Sequence, residues 1–181
     1  MSRPKRVPKP LNPVRLNDLA LHYVARFATS AAKLEDYLKR KLRERGWEGE
    51  GEPGLRALVE RFVEAGYVDD LAYARAKSGS LLRRGFGQRR VGQALHAAGI
   101  GEEVREEVRA GKAAQRRAAL ALAQKRRFGP FGSAGLGRPQ REKQIAAMLR
   151  AGHPLDMVRA ILGAADIAAA EEWAETSEDE E

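Results

Sequence analysis

Apolar residues along this chain recur three and four positions apart, in short runs punctuated by glycine and proline, which is the spacing of one buried helical face. Ala20, Tyr23, Val24, Phe27 and Ala28 mark a first helix starting near Asn17. Thr29 and Ser30 offer caps for a second, bearing Leu34, Tyr37, Leu38 and Leu42 and stopped by Gly46. Pro53 stands at the expected first position of a third, whose stripe of Leu55, Leu58, Val59, Phe62 and Val63 ends at Gly66. A second set follows, with Asp69 or Asp70 capping a helix that carries Leu71, Ala74, Ser78, Leu81 and Leu82 to Gly85. Gly87 opens another with Val91, Ala94, Leu95 and Ala98, closed by Gly99. Val104 and Val108 begin a helix whose period persists to Phe128, with Gly111 weakening its middle. Residues 129–139 hold four glycines and two prolines and read as a long loop. Ile145, Met148 and Leu149 before Gly152, then Pro154 with Leu155, Val158, Ile161 and Leu162, complete the pattern.

The sets repeat. Ser30 to Leu38 superposes on Gly87 to Leu95, and Ala94 to Gly99 on Ala147 to Gly152, which places Val104 and Val108 on Met157 and Ile161. The expected fold is all-α, built of tandem three-helix repeats that stack into an elongated, curved body. The expected divisions are a disordered basic arm (1–15), interrupted by Pro4, Pro8, Pro10 and Pro13, then repeats at 16–67, 68–115 and 116–165, and an acidic tail (166–181).

Charge sharpens this picture. The chain of 181 residues carries a net +8, yet residues 1–15 hold five bases and no acid while residues 171–181 hold seven acids and no base. The intervening body has 28 bases against 18 acids, a balance attractive to polyanions. Cysteine is absent, which excludes disulfides, thiolate zinc sites and thiol nucleophiles. No apolar run reaches the roughly 18 residues of a membrane helix, and the N-terminus lacks the apolar core of a secretory signal, so a soluble, cytoplasmic protein is expected.

One block is distinctive: Gly66-Tyr67-Val68-Asp69-Asp70-Leu71-Ala72-Tyr73-Ala74, then Arg83-Arg84-Gly85-Phe86-Gly87, Ala94-Leu95 and Gly99-Ile100. It resembles the central block of the RecX family, and a looser resemblance runs over residues 19–162. The resemblance implies binding in the groove of RecA recombinase filaments on DNA. It also implies inhibition of their strand exchange, ATP hydrolysis and co-protease activities, and so modulation of DNA repair and the SOS response.

The residues of that block have structural duties of their own, with Gly66 and Gly85 expected as helix ends at positive φ and Phe86 packing back on its module or standing exposed. Basic residues cluster beside it. Arg83, Arg84, Arg89 and Arg90 flank one inter-helix turn, and Arg116, Arg117, Lys125, Arg126 and Arg127 follow on the next long helix. Such charges are often only a solvated face. Their density, with few acids between residues 81 and 100, makes them and Phe86 the candidate contacts to DNA phosphates or recombinase carboxylates.

Catalytic readings fail. Gly49-Glu50-Gly51-Glu52-Pro53-Gly54 spells a dinucleotide-binding string, but it joins two helices and its glutamates would repel a pyrophosphate. His22, His96 and His153 are isolated, with no second metal ligand at helical spacing. The expectation is therefore a monomeric, non-enzymatic regulator without cofactor or metal, binding a RecA filament and, weakly and without sequence preference, single- or double-stranded DNA. The rival is a helix-turn-helix transcriptional regulator that uses residues 81–98.

Overall fold

A computed structural model describes residues 9–133, 135 and 137–175; residues 1–8 and 176–181, where most of the basic arm and the end of the acidic tail fall, lie outside the described part. The described residues form ten α-helices: α1 Pro13–Val24, α2 Ala31–Arg45, α3 Leu55–Glu64, α4 Asp70–Arg83, α5 Gln88–His96, α6 Glu102–Glu107, α7 Lys112–Arg126, α8 Arg138–Arg150, α9 Leu155–Gly163 and α10 Ile167–Glu175. Among them no β-strand occurs, only an isolated bridge between Leu11 and Trp47. The described residues divide into two compact units, one running to Tyr73 and including Ala98–Ile100, the other comprising Ala74–Ala97 and the described residues from Gly101 to Glu175.

The first unit begins earlier than the prolines suggest. Leu11 is fully buried, and its backbone pairs with Gly46 and Glu48 on either side of Trp47. Asn12 then caps α1, its Oδ1 accepting from the Arg15 amide at 2.9 Å, with Pro13 in the first turn. Proline is tolerated there because its missing donor is one the helix leaves unpaired anyway. Arg15 pairs with Glu48, so residues 11–15 are part of the folded unit and not of a disordered arm. Leu11, Leu16, Ala20, Leu34, Leu38, Leu58, Val59, Phe62 and Val68 form its core. Full burial of one such leucine stabilises the fold by about 1.5–3 kcal/mol.

Both aspartates of the central block act as caps, on different helices. Asp69 Oδ1 accepts from the Ala72 amide of α4, while Asp70 Oδ1 accepts from the Ala31 amide at the start of α2, both at 2.8 Å. Ser30 caps α2 and also donates its hydroxyl to the Ala98 carbonyl at 2.5 Å. The glycine string at 49–54 is a tryptophan-closed loop: Trp47 Nε1 donates to the Gly51 carbonyl, and the indole lies where a Cβ on Gly49 would stand. Helix α3 starts after it, at Leu55 with Gly54 as cap, so Pro53 lies outside the helix.

In the second unit the long helix expected over 104–128 is two helices. Val108 ends α6, and Gly111 takes an extended conformation before α7, so the weak point at Gly111 is a break. The core consists of Ala119, Ala123, Met148, Val158, Ile161, Leu162 and Ala170. Alanines let two backbones come close, and α10 packs on α7 through Ala170 and Ala174. Residues 167–175 are thus a packed helix and not part of the acidic tail expected from 166. The long loop is also shorter than expected: Gly129–Phe131 form a 3-10 turn tied by the Gly129 amide to Gln144 Oε1, and α8 is under way at Arg138.

Candidate functional site

Two helix ends in the second unit are built alike. At the end of α4, the Gly85 amide donates to the Leu82 carbonyl and the Phe86 amide to the Leu81 carbonyl; at the end of α7, the Arg127 amide donates to Gln124 and the Phe128 amide to Ala123. This double closure needs its first amide on a residue in the left-handed region. Gly85 supplies it at φ 85° and Arg127 at φ 55°, Arg127 being the one non-glycine residue with positive φ among those described. The strings Arg83-Arg84-Gly85-Phe86-Gly87 and Lys125-Arg126-Arg127-Phe128-Gly129 thereby become structural equivalents, the first delivering two cations and the second three before a ring.

The two ends meet at a cleft of about 210 Å³ lined by Arg84, Phe86, Lys125, Arg126 and Phe128, with Leu122 and the small Ala147 and Ala151 at its back. The Arg84 guanidinium lies 5.4 Å from the centroid of the Phe86 ring. Both rings are half-buried, and Phe128 also packs on the unit's core. Among the described residues, Arg84, Lys125 and Arg126 have no ion-pair partner. A helix C-terminus favours cations by a few tenths of a kcal/mol to about 1 kcal/mol, which accounts for bases in the last turn of α7. It does not account for gathering three of them around one recess with two rings.

Backbone packing holds this arrangement in place. The Gly87 amide donates to the Ala151 carbonyl at 2.9 Å and the Arg89 amide to Gly152 at 3.3 Å, so the first turn of α5 lies on the end of α8. A Cβ on Gly87 would fall 2.5 Å from the His153 nitrogen, and one on Gly152 would fall 2.5 Å from the Arg90 nitrogen. His153 is buried, and its Nε2–H donates to the Gly85 carbonyl at 2.9 Å, whereas its Nδ1 is buried without a partner. Burial lowers the imidazole pKa from its ordinary value, against a smaller opposing effect of the Gly85 bond. The neutral ring is therefore a strut between two turns.

Of the ten residues singled out in the sequence, Arg84, Phe86, Lys125 and Arg126 converge. Arg83, Arg89, Arg90, Arg117 and Arg127 are exposed but do not line the cleft. Arg116 is buried, its guanidinium 5.8 Å from the Trp173 ring centroid, and so serves packing between α7 and α10. Phe128 joins Arg84, Phe86, Lys125 and Arg126 in the cleft; its sequence signal is the second basic-then-phenylalanine string, obscured by the arginine that replaces glycine. The first turn of α5 has its backbone covered by Ala151 and Gly152 on one side, while Arg89 and Arg90 stay exposed on the other. Among the described residues, no three histidines or carboxylates gather as a metal set, and no helix is long and apolar enough to cross a membrane.

The described residues define an all-helical protein assembled from small helical sets, with a basic cleft in the second unit. Residues 69–108 match the model of the second three-helix domain of RecX. The chain is 32% identical over 168 residues to Regulatory protein RecX of Myxococcus xanthus (strain DK1622), covering 88% of this chain and 89% of that one. The chain belongs to the RecX family. Its fold is similar to the crystal structure of RecX from Lactobacillus salivarius, with a TM-score of 0.64 at 16% identity over 83% of this chain and 94% of that one. A crystal structure titled regulatory protein RecX gives a TM-score of 0.64 at 18% identity, covering 83% of this chain and 71% of that one.

Proposed function

We propose that this protein is a non-enzymatic negative regulator of RecA recombinase, acting by stoichiometric binding to the recombinase filament on DNA. Binding restrains the filament's recombinase, ATPase and co-protease activities and so tempers DNA repair and the SOS response in the cytoplasm, with the regulator working as a monomer. Family membership supports the regulatory role, and one observation carries the mode of binding. Arg84, Lys125 and Arg126 surround one recess and have no acidic partner among the described residues, so the site offers its charge to an anionic partner. A filament presents such partners in its DNA phosphates and its surface carboxylates.

The test is the single-strand-dependent ATPase of purified RecA titrated with this protein. Slowing below molar equivalence is expected, and the Arg84→Gln, Lys125→Gln, Arg126→Gln variant should need at least about tenfold more protein, since one charge-assisted contact contributes about 1.5–3 kcal/mol. No slowing at several-fold excess of the wild-type chain refutes the function.

A further inference from the structure

We propose that the cleft between the ends of α4 and α7 is a binding site for one unstacked nucleotide of a single nucleic-acid strand, its base seated against Phe86 and Phe128 and its flanking phosphates held by Arg84, Lys125 and Arg126. This deepens the regulatory reading and rests on it only for its biological setting; the chemistry is that of the cleft.

Three features select this ligand. The cations stand on two separate helix ends, Arg84 after α4 and Lys125 with Arg126 in the last turn of α7, so they suit charges spaced along a chain better than a single anion. Two phenyl rings line the same recess. An acidic protein surface would gain nothing from them, because the face of an aromatic ring repels a carboxylate, whereas a base stacks on it. The rings are recessed in a volume of about 210 Å³ and half-buried, and the bases of a duplex already cover one another's faces. Only a base turned out of its stack brings a face to the rings.

The backbone favours the same conclusion. Arg127 takes the left-handed conformation that Gly85 takes at the equivalent helix end, at a cost glycine would avoid. The closure it completes is what sets Phe128 at the cleft. A costly conformation retained beside a recess of rings and cations without ion-pair partners fits a site held ready for a ligand.

The experiment uses the full chain without recombinase and follows fluorescence anisotropy of three labelled probes of equal length: an oligothymidylate, the same backbone with abasic sugars, and a duplex. The wild type should bind oligothymidylate about tenfold more tightly than the abasic strand, the worth of a stacked base. Phe86→Leu should reduce that preference severalfold, Phe128 remaining, and leave the salt dependence unchanged. The Arg84→Gln, Lys125→Gln, Arg126→Gln variant should weaken both strands alike and flatten the salt slope by up to about 0.7 log unit per lost phosphate. These three side chains are on the surface, so that variant reports on the site even if Phe86→Leu disturbs the fold, which far-ultraviolet circular dichroism reads. Equal binding of oligothymidylate and abasic strand by the wild type overturns the proposal, as does tighter binding of the duplex. Displacement of oligothymidylate by equimolar free nucleoside triphosphate also overturns it, making the cleft a small-molecule site. Preserved strand binding with no effect on RecA would instead refute the regulatory reading and leave this one standing.

Discussion

Adding one methyl group at Gly87 should unseat the cleft without touching any residue that lines it. Gly87 has φ −78° and ψ 166°, an extended conformation that alanine adopts freely, so Gly87→Ala carries no backbone penalty and isolates a steric one. The new Cβ would stand 2.5 Å from the His153 nitrogen and against the Gly152 carbonyl, all of it backbone that no rotamer change can move. Relief requires the first turn of α5 to lift from the end of α8. The bonds from Gly87 to Ala151 and from Arg89 to Gly152 then lengthen together. Overpacking costs about 1–3 kcal/mol and each weakened bond about 1 kcal/mol, so a loss near 3 kcal/mol is expected. At about 2–4 °C per kcal/mol for a chain of this size, the thermal midpoint should drop by roughly 6–12 °C. Gly92→Ala, within α5 with nothing near its would-be Cβ, should instead stabilise by about 0.5–1 kcal/mol. Thermal and urea unfolding followed by circular dichroism measure both, and hydrogen exchange at the Gly87 and Arg89 amides locates the change. A Gly87→Ala protein as stable as the wild type, with those amides equally protected, would refute the argument.

His153 gives a pH dependence of fixed sign: because burial lowers its folded pKa, the unfolded chain takes up the proton first, and stability declines as pH falls below about 6.5. Thermal midpoints between neutral and mildly acidic pH should show this decline, and His153→Gln should reduce it. Arg127→Gly should raise stability by about 1 kcal/mol by removing a side chain from a left-handed residue, read by urea denaturation. Arg116→Glu should cost about 3 kcal/mol by burying a carboxylate against Trp173, whereas Arg117→Glu one position on should stay within about 0.5 kcal/mol, a contrast that paired melting curves will test.

The sequence pattern was most informative where one helical face meets one core. Leu34, Leu38, Leu58, Val59 and Phe62 were legible from spacing and are buried, whereas Val63 of the same stripe and Phe27 beyond α1 are exposed. It was least informative where a residue has two permitted roles. Pro13 breaks helices in general but starts α1, since the N-terminal turn does not need its donor. Gly111 weakens a helix in its middle, and only packing decides whether it bends or breaks. Helix α10 was masked by the run of acids around it: Ala170 and Ala174 are too small to stand out as apolar positions, yet their size lets α10 lie against α7. Arg116 was unreadable for the same reason, because the Trp173 that covers it belongs to that missed helix.

The weak repeat in the sequence becomes a repeat of contacts. Ser30 and Gly87 hold equivalent places, as do Ala98 and Ala151, and each pair is joined by a hydrogen bond to the alanine carbonyl. In the first unit a serine hydroxyl makes that bond at 2.5 Å; in the second the backbone amide of a glycine makes it at 2.9 Å. The same junction therefore needs a small residue but not the same one, and sequence identity between the sets can fall while their geometry stays. The glycine version brings the two backbones close enough that Gly87, Gly152 and His153 fix the turn carrying Arg84 and Phe86. Those two residues supply one wall of the cleft, and α7 supplies the other through Lys125, Arg126 and Phe128. Stability and the proposed binding thus share an origin in the second unit. A substitution at the junction should impair both, whereas a substitution of an exposed cation should impair binding alone.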